Sequence, residues 1–265
     1  MTPEPPGSRS PGELEKENLR LSRRLERLEG NVRRLEEFQD SNSTLASRLL
    51  SELEQERSRS QRLLLNVLPQ RIVDRLQAGE SLIADRHESV TVLFGDIVGF
   101  TETSARLAPA TLIEELNRLF SGFDAICDRN TVEKIKTAGD AYLVIGGLGG
   151  ETDHATKVAE TALQMIAQVE SRSGLGADWR IRIGLHSGPV VAGVIGTSKF
   201  AYDVWGDTVN MAARLEAASE PNRILVSGTL GAQLGDHYRL VQRGTVELKG
   251  KGLVETSFLV GRQDH

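Results

Sequence analysis

The amino-acid sequence predicts an α+β domain that follows a long coiled-coil helix. Leucine fills most of the positions that lie seven residues apart between 14 and 63, which is the repeat of a coiled coil. Beyond Pro69, apolar segments with strand and helix periodicity follow one another in mixed order, as in helices packed on an antiparallel or mixed sheet. The distribution of charge also changes near Pro69. Residues 12–68 are neutral, with 11 bases and 11 acids, so the net charge of −5 comes from the part of the chain that follows.

Composition excludes several classes of function. With one cysteine in 265 residues, the chain cannot build a disulfide framework, a cysteine-based zinc site or an iron–sulfur cluster. Its mild acidity argues against nucleic acid as a partner, and its apolar segments fall short of the ~20 residues that span a bilayer. The first residues also lack the charged and apolar parts of a signal peptide. We therefore expect a cytoplasmic location, and leave open that the chain is the cytosolic part of a membrane-anchored parent.

The first part of the chain divides into a leader and a heptad repeat. Residues 1–12 are rich in proline, glycine and serine and predict a disordered leader. In residues 13–68 the d position is leucine in six of eight heptads, and the asparagine at one a position, Asn18, favours two parallel strands. We therefore expect a parallel dimeric coiled coil. The d positions are Leu14, Leu21, Leu28, Leu35, Asn42, Leu49, Glu56 and Leu63, and the a positions are Asn18, Leu25, Val32, Gln39, Ala46, Leu53, Ser60 and Val67.

Polar residues interrupt this apolar seam twice, at Gln39 with Asn42 and at Glu56 with Ser60. These heptads should be the loosest part of the rod, because such side chains cannot pack as leucine does. Two interpretations stay open. The segment is either a dimerisation stalk with ordinary imperfections, or a coil whose weak heptads change register or twist and so transmit a signal.

A connector, residues 69–87, follows the coil. Pro69 should end or kink the long helix, and the pattern of residues 66–76 predicts a short amphipathic helix that closes near Gly79. Residues 88–262 are long enough for one α+β domain. Its expected strands are 89–94, which Gly95 should end, then 132–136, 141–145, 180–185, 223–226, 238–248 and 256–260, and its expected helices are 109–129, 154–171, 206–218 and 228–234.

Two carboxylates stand where strands should end. Asp96 follows the first strand of the domain, and Asp140 lies in the glycine-bearing turn of a hairpin. Acidic side chains at strand ends can approach one another and bind a hard cation such as Mg²⁺ through oxygen. Taken singly, each is equally a turn residue, because aspartate and glycine are what tight turns favour.

Cations and amides form a second group of candidates. Asn210 and Arg214 are four residues apart, hence on one face of a helix, where they could reach the same ligand or simply face solvent. Lys249 and Lys251 alternate with glycines, which suits a polyphosphate and equally an exposed turn. Lys136 lies four residues before Asp140, and Asp203 precedes the helix of Asn210 and Arg214.

Together these residues resemble the catalytic domain of class III adenylate and guanylate cyclases, over roughly residues 66–262. The resemblance rests on four strings: FGDI at 94–97, EKIKTAGDAY at 133–142, GLHSGPVVAG at 184–193 and WGDTVN at 205–210. It implies a cyclase-type α+β sandwich, with a ferredoxin-like βαββαβ core and extra strands. It also implies a homodimer, joined through the coiled coil and the catalytic domains, with composite active sites at the interface.

The resemblance further assigns roles to the candidate residues. Asp96 and Asp140 of one protomer would hold two Mg²⁺ or Mn²⁺ ions per site, with Ile97 contributing its backbone carbonyl. The other protomer would supply Lys136 and Asp203 to the base, Asn210 and Arg214 to the ribose and transition state, and Lys249, or alternatively Lys251, to the terminal phosphates.

Hydrogen-bond polarity predicts the base. Adenine offers an acceptor at N1 and a donor at N6, and guanine reverses both, so the donor Lys136 and the acceptor Asp203 match adenine. We expect an adenylate cyclase that converts ATP to 3′,5′-cyclic AMP and pyrophosphate. The alternatives are a guanylate cyclase, or a catalytically silent coiled-coil module that only binds nucleotide. An upstream sensor or membrane region in a longer parent stays open.

Overall fold

The computed structural model describes residues 11–65, 67–171, 178–196 and 199–263. Contacts divide the chain into two compact units, with the boundary after Val67. Residues 1–10 of the predicted leader lie outside the described residues, and Pro11 and Gly12 already belong to the first helix. Within the described residues, no helix combines the length and the apolar character that crossing a membrane requires.

The first unit is a single long helix, α1 (Pro11–Leu65), of 55 residues. At ~1.5 Å per residue it is roughly 80 Å long. The apolar side chains of its heptad positions are all exposed in the single chain, so the helix carries an apolar stripe, interrupted at the polar heptad positions 39, 42, 56 and 60. The stripe consists of Leu14, Leu21, Leu25, Leu28, Val32, Leu35, Leu49, Leu53 and Leu63.

The short helix α2 (Gln70–Gln77) opens the second unit, and Pro69 occupies the position just before it. Proline suits this place because its missing amide hydrogen would have no partner in the first turn. The helix buries Ile72 and Val73 and is followed by Gly79 in a left-handed conformation (φ +88°). The proline break and the closing glycine are therefore as the sequence predicts.

An eight-stranded sheet forms the centre of the second unit. Its strands are β1 (Ala84–Ile97), β2 (Glu133–Ala138), β3 (Ala141–Gly146), β4 (Ile181–Ile195), β5 (Ala201–Trp205), β6 (Arg223–Ser227), β7 (Tyr238–Leu248) and β8 (Gly252–Arg262). They lie in the order β2-β3-β1-β4-β6-β8-β7, and β5 pairs with β4 beside this path. β4 and β6 run parallel, and the other pairs are antiparallel.

Helices cover both faces of the sheet. After α2 they are α3 (Phe100–Arg106), α4 (Pro109–Asn130), α5 (His154–Ser171), α6 (Asp207–Ala218) and α7 (Gly228–Leu234). The larger hydrophobic core lies on the face covered by α4, α5 and α7, and a second core lies on the face covered by α2 and α6. Successive strand residues alternate between the two cores, since Val92 belongs to the second core and Leu93 to the first.

The predicted fold is confirmed. The elements β1, α4, β2, β3, α5 and β4 follow one another as a βαββαβ unit, whose strands lie in the order β2-β3-β1-β4 of a ferredoxin-like core. β5 to β8 are the extra strands, and α6 and α7 are the extra helices. The helix α3, which begins after Gly99 in a left-handed conformation (φ +69°), was not expected from the sequence.

Several strand boundaries differ from the prediction. β1 begins at Ala84, inside the predicted connector, rather than at 89, and β8 begins at Gly252 rather than at 256. Gly95 does not end β1, because it pairs with Tyr142 of β3 and Ile183 of β4, and the strand continues to Ile97. Asp96 therefore lies within the strand rather than after it. β4 continues ten residues past the predicted end at 185, because Pro189 lies opposite the irregularity in β1 between His87 and Val90, where no ladder hydrogen bond is required of it.

Candidate active site

Asp96 and Asp140 meet at one end of the sheet. Asp96 is the penultimate residue of β1, and Asp140 lies in the tight turn between β2 and β3, where Gly139 supplies a left-handed residue (φ +67°). Pairing of Gly95 with Tyr142 aligns β1 with β3, so that the turn comes beside the end of β1. The two carboxylates line one pocket, whose apolar wall includes Phe120.

The environment of these two acids is unfavourable to their negative charge. Burial raises the pKa of the Asp96 carboxyl, and the neighbouring Asp140 raises it further. Arg182 of β4 opposes the shift, with its Nη2 atom 3.2 Å from Asp96 Oδ2. A divalent cation would relieve the repulsion between the acids, and oxygen ligands are what Mg²⁺ and Mn²⁺ prefer.

The donor set therefore fits a metal held by two carboxylates and main-chain oxygen. Ile97 adjoins Asp96 at the end of β1, with its side chain buried in the larger core. Across the described ranges, no group of three or more acidic, histidine or cysteine side chains could hold a metal ion. A metal here would thus need ligands beyond these side chains, such as the Ile97 carbonyl and phosphate oxygens.

A second acid lies behind Arg182. The Nε atom of Arg182 is 2.9 Å from Oε1 of Glu216 on α6, and the Glu216 side chain is only 8% exposed. The two atoms are in ionic contact but are not aligned as a hydrogen bond, since each lacks a hydrogen-bond partner. Burial raises the pKa of Glu216 to about 7, although Arg182 pulls it down.

Sequence reasoning missed Arg182 and Glu216. A signal for Glu216 exists, because it adjoins Leu215 and lies four residues after Ala212, both fully buried. A carboxylate on the apolar side of an amphipathic helix calls for a buried partner. The partner could not be named from the sequence, since Arg182 lies on a strand whose neighbours are set by the tertiary fold.

The structure brings together Lys136 and Asp203, which lie on different strands. Lys136 Nζ is 2.5 Å from Asp203 Oδ2, with side-chain exposures of 45% and 16%. Asp203 is further oriented because its Oδ1 atom accepts a hydrogen bond of 2.9 Å from the backbone amide of Val204. The pair presents a donor and an acceptor side by side at a partly exposed position.

A bulge in β2 determines where Lys136 points. Glu133 lies opposite Ile145 and Lys134 opposite Val144, but Lys136 rather than Ile135 lies opposite Leu143. Cross-strand partners share a face of the sheet. Because Ile145 and Leu143 both belong to the second core, the extra residue turns Lys136 onto the same face as Glu133.

Asn210 and Arg214 lie on the exposed side of α6, opposite the buried Ala212 and Leu215. Their spacing places both on one helix face, as expected. The start of this helix is fixed to β4, since the hydroxyl of Thr208 donates a hydrogen bond of 2.6 Å to the Pro189 carbonyl. Both side chains are thus presented to solvent by a rigid element.

The two lysines of the turn between β7 and β8 differ in environment. Lys249 is exposed, whereas Lys251 is 16% exposed and forms an ion pair with Asp207 in the first turn of α6. Gly250 and Gly252 flank Lys251 with φ values of +74° and +72°. The turn is therefore tied through Lys251 to the helix that carries Asn210 and Arg214.

The predicted residues fall into separate groups within one chain. The pocket lined by Asp96 and Asp140 has no described lining residue in common with the Lys136–Asp203 pair. It also has none in common with the exposed Asn210 and Arg214 on α6. One chain thus presents the acidic pair and the Lys136–Asp203 pair as distinct groups.

The sequence of this chain is similar to those of known nucleotide cyclases. Residues 82–261 match the family described as the adenylate and guanylate cyclase catalytic domain. An adenylate cyclase of Mycobacterium tuberculosis is 42% identical over 214 residues, which cover 80% of this chain and 48% of the relative. Retinal guanylyl cyclase 2 of Bos taurus is 39% identical over 244 residues, which cover 89% of this chain and 22% of the relative. The chain thus spans about half, or less, of the length of these relatives.

A solved structure agrees with the sequence comparison. The guanylate cyclase domain of RhGC from Catenaria anguillulae, in complex with GTP, is 36% identical and superposes with a TM-score of 0.66, covering 68% of this chain and all of that one. The family match covers more than half of the chain and coincides with the sheet and helices that carry the acidic pair and the Lys136–Asp203 pair. This chain belongs to the adenylate and guanylate cyclase catalytic domain family.

Proposed function

We propose that the chain is an adenylate cyclase, which converts ATP to 3′,5′-cyclic AMP and pyrophosphate. The observation that carries the choice of ATP is the contact between Lys136 Nζ and Asp203 Oδ2 at 2.5 Å. Relatives include both adenylate and guanylate cyclases, so the family alone does not choose the base.

Asp96, Asp140 and the Ile97 carbonyl would hold two Mg²⁺ or Mn²⁺ ions. Bound there, the ions would lower the pKa of the ribose 3′-hydroxyl and neutralise charge on the phosphates. Arg182 contributes by holding the Asp96 carboxylate at 3.2 Å, so that one oxygen has a fixed position. The acids thereby gather the attacking oxygen and the α-phosphate at one end of the sheet.

Arg214 and Asn210 would act on the nucleotide from the other protomer. Arg214 presents a planar fork of donors, which matches two oxygens of the α-phosphate as negative charge develops there. Asn210 lies one helical turn before it and can orient the ribose through its amide. Lys249, exposed in the β7–β8 turn, would neutralise the terminal phosphates, and Lys251 would keep the turn against α6.

Base choice follows from donor and acceptor polarity. Lys136 donates to N1 of adenine and Asp203 accepts from N6, so each finds a partner of opposite polarity. Guanine would present a donor to Lys136 and an acceptor to Asp203, leaving polar groups unpaired in a partly buried site. An unpaired buried group costs about 1–3 kcal/mol, which corresponds to a selectivity of roughly 10- to 100-fold.

The proposed active enzyme is a homodimer. Two copies would bring the acidic group of one protomer opposite the Lys136–Asp203 group of the other, and the apolar stripe of α1 would pack in a parallel coiled coil. An exposed stripe of this length is not stable in water as a lone helix, since most of its stabilisation must come from packing.

The test is a product assay on the purified chain. With Mn²⁺ and either ATP or GTP, product identified by mass should be cyclic AMP, formed from ATP at least about tenfold more efficiently than cyclic GMP from GTP. Equal efficiency with both nucleotides, or a preference for GTP, would overturn the choice of base. Binding of both nucleotides without any cyclic product would instead support the silent nucleotide-binding module.

A further inference from the structure

Arg71 on α2 contacts two strands at once. Its Nη1 and Nη2 atoms donate to the Glu133 carboxylate of β2 at 2.5 and 3.1 Å. Nη2 also donates to the Tyr202 hydroxyl of β5 at 2.6 Å, and the guanidinium carbon lies 5.5 Å from the centre of the Tyr202 ring. One side chain therefore links three elements that are far apart in the sequence.

The two strands that Arg71 joins are those that carry the proposed base-recognition pair. Glu133 lies on the same strand as Lys136, and the β2 bulge places both on the same face of the sheet. Tyr202 is the residue before Asp203 on β5. The Arg71 contacts and the Lys136–Asp203 ion pair thus bridge the same two strands, β2 and β5, at neighbouring positions.

These two polar bridges, together with apolar packing of Ile135 against the core that holds Tyr202 and Val204, connect β2 to β5. Each strand has its own partner in the sheet, since β2 pairs with β3 and β5 pairs with β4, and no backbone ladder joins the two within the described residues. Their separation is therefore set by side chains. A bidentate guanidinium contact fixes both distance and orientation, which a single lysine contact does not.

Packing makes Arg71 a fixed anchor. The neighbouring Ile72 and Val73 are each 1% exposed and belong to the same core as Tyr202. Tyr202 is itself 8% exposed, and burial, followed by the nearby Glu133, raises the pKa of its hydroxyl to about 12, so it stays neutral and able to accept from Arg71. The neighbours of Arg71 in α2 and one of its two partners, Tyr202, are thus held by the second core.

We propose that Arg71 is a positioning residue for base recognition, which sets the spacing of β2 and β5 and thereby the alignment of Lys136 with Asp203. This inference rests on the proposed function, in which that pair reads the base. Arg71 is not among the residues proposed to bind nucleotide or metal, and it would act through Glu133 and Tyr202. Movement of α2, the helix of the connector, would accordingly change nucleotide affinity and selectivity before it changes the chemical step.

Arg75 provides a matched control on the same helix. It forms ion pairs with Glu80 and Asp85, and neither partner lies on β2 or β5. We therefore compare Arg71→Gln with Arg75→Gln. For Arg71→Gln we expect KM for ATP to rise about fivefold or more, the ATP-to-GTP ratio of kcat/KM to fall by a similar factor, and kcat to stay within about twofold. Arg75→Gln should leave all three values near those of the unmodified chain.

A gentler variant and a double substitution separate positioning from simple destabilisation. Tyr202→Phe keeps the ring but removes the hydroxyl, and should shift KM in the same direction by a smaller factor while the melting temperature stays close to that of the unmodified chain. In a Lys136→Ala background, Arg71→Gln should have little further effect on selectivity, because the group that it positions is gone. Full additivity of the two changes would overturn the proposal.

Binding without turnover separates this inference from the proposed function. The 3′-deoxy forms of ATP and GTP lack the attacking hydroxyl, so their affinities can be measured by calorimetry with Mn²⁺. Weaker binding of 3′-deoxy-ATP to Arg71→Gln, with a reduced preference over 3′-deoxy-GTP, supports the proposal even if no cyclic product forms. Affinities equal to those of Arg75→Gln overturn it, even in a fully active cyclase.

Discussion

Arg182 Nε lies 2.9 Å from Oε1 of the buried Glu216, while the other end of the same guanidinium contacts Asp96. One cation is thus shared between an acid of the proposed metal site and an acid in the interior. The charge available to Glu216 is only part of a full counterion, and burial raises its pKa to about 7. This arrangement leads to a prediction about stability.

The Glu216 carboxyl should make the fold less stable as pH rises. Its pKa is about 7 in the folded chain against 4.5 ordinarily, so its favourable contribution is complete below pH 4.5 and is lost as pH rises through 7. Replacing Glu216 by Gln should remove this dependence of the unfolding free energy on pH. The unfolding free energy of Glu216→Gln minus that of the unmodified chain should therefore increase by roughly 1–3 kcal/mol from pH 5 to pH 8.

Urea denaturation with EDTA at four pH values measures this difference. Glu220→Gln is a suitable control, because Glu220 is an exposed partner of Arg223. A pH-independent difference between Glu216→Gln and the unmodified chain would contradict the prediction.

The His154 side chain should make the fold less stable as pH falls, which is the opposite of the pH dependence expected from Glu216. His154 is 6% exposed, and its ring nitrogens lie 2.8 Å from the Thr91 hydroxyl and 3.1 Å from the Ser89 hydroxyl. Burial lowers its pKa from 6.5, and the nearby Asp153 and Glu151 only partly oppose this. The folded chain therefore disfavours the proton that the unfolded chain takes up, so stability should fall as pH drops below 6.5.

The check is thermal unfolding between pH 5 and pH 8 for the unmodified chain and for His154→Gln. We expect the variant to be less stable at pH 8, because a well-packed ring is lost, and to lose less stability than the unmodified chain on acidification. His87→Gln, which replaces a partly exposed histidine of β1, is the comparison. Parallel curves for His154→Gln and the unmodified chain would exclude the effect.

Asp140→Asn should abolish metal-dependent turnover without harming the fold. The substitution removes one proposed metal ligand and also the charge that repels Asp96. We expect turnover to fall by about 100-fold or more, and the melting temperature in EDTA to be unchanged or higher. Mn²⁺ binding, followed by electron paramagnetic resonance, should weaken in parallel. Asp153→Asn, which alters an exposed acid paired with Lys157, should retain both properties.

Substitution of the proposed base-contacting pair, Lys136 and Asp203, should shift the nucleotide preference from ATP towards GTP. In Lys136→Glu with Asp203→Cys, the donor and the acceptor that suit adenine are removed and an acceptor is introduced where guanine offers a donor. We expect the ATP-to-GTP ratio of kcat/KM to fall by about 100-fold. Each single substitution leaves a mismatch with both bases and should lower turnover of both nucleotides. An unchanged ratio in the double variant would show that this pair does not read the base.

The apolar stripe of α1 should govern assembly. Removal of residues 1–60 deletes most of its leucines, so the shortened chain should dissociate at protein concentrations where the full chain is a dimer. Sedimentation over a concentration series measures this, with activity per protomer falling as the dimer dissociates. Glu56→Leu with Ser60→Leu should tighten the dimer and alter turnover if the weak heptads transmit a signal. Unchanged turnover would leave the coil as a stalk.

Regular patterns made most of the fold predictable. The heptad leucines predicted α1, and Pro69 and Gly79 predicted the limits of α2. The glycine-bearing turn at Gly139 predicted the hairpin that carries Asp140. These features depend on residues close in sequence. The continuation of β1 through Gly95 could not be read locally, because glycine is a common strand terminator and only two neighbouring strands keep it in the ladder.

The candidate site residues that belong to recognisable sequence motifs could be predicted. Those whose importance depends on contacts made only in the folded chain could not. Asp96, Asp140, Lys136 and Asp203 stood out by residue type and spacing, and the structure pairs them as acid with acid and base with acid. Arg182 and Arg71 did not stand out, since an arginine on a strand or a short helix is ordinary. Their roles arise from contacts to residues 34 and 62 positions away, Glu216 and Glu133.

The bulge in β2 makes the register of that strand as consequential as its composition. Ile135 is the extra residue that allows Lys136 to lie opposite Leu143. If Ile135 entered the ladder in place of Lys136, then Lys136 and the residues after it would move to the opposite face of the sheet. A chain that lost the bulge in this way would keep every proposed functional side chain in its sequence and still lose the contact between Lys136 and Asp203 on which the proposed choice of purine depends.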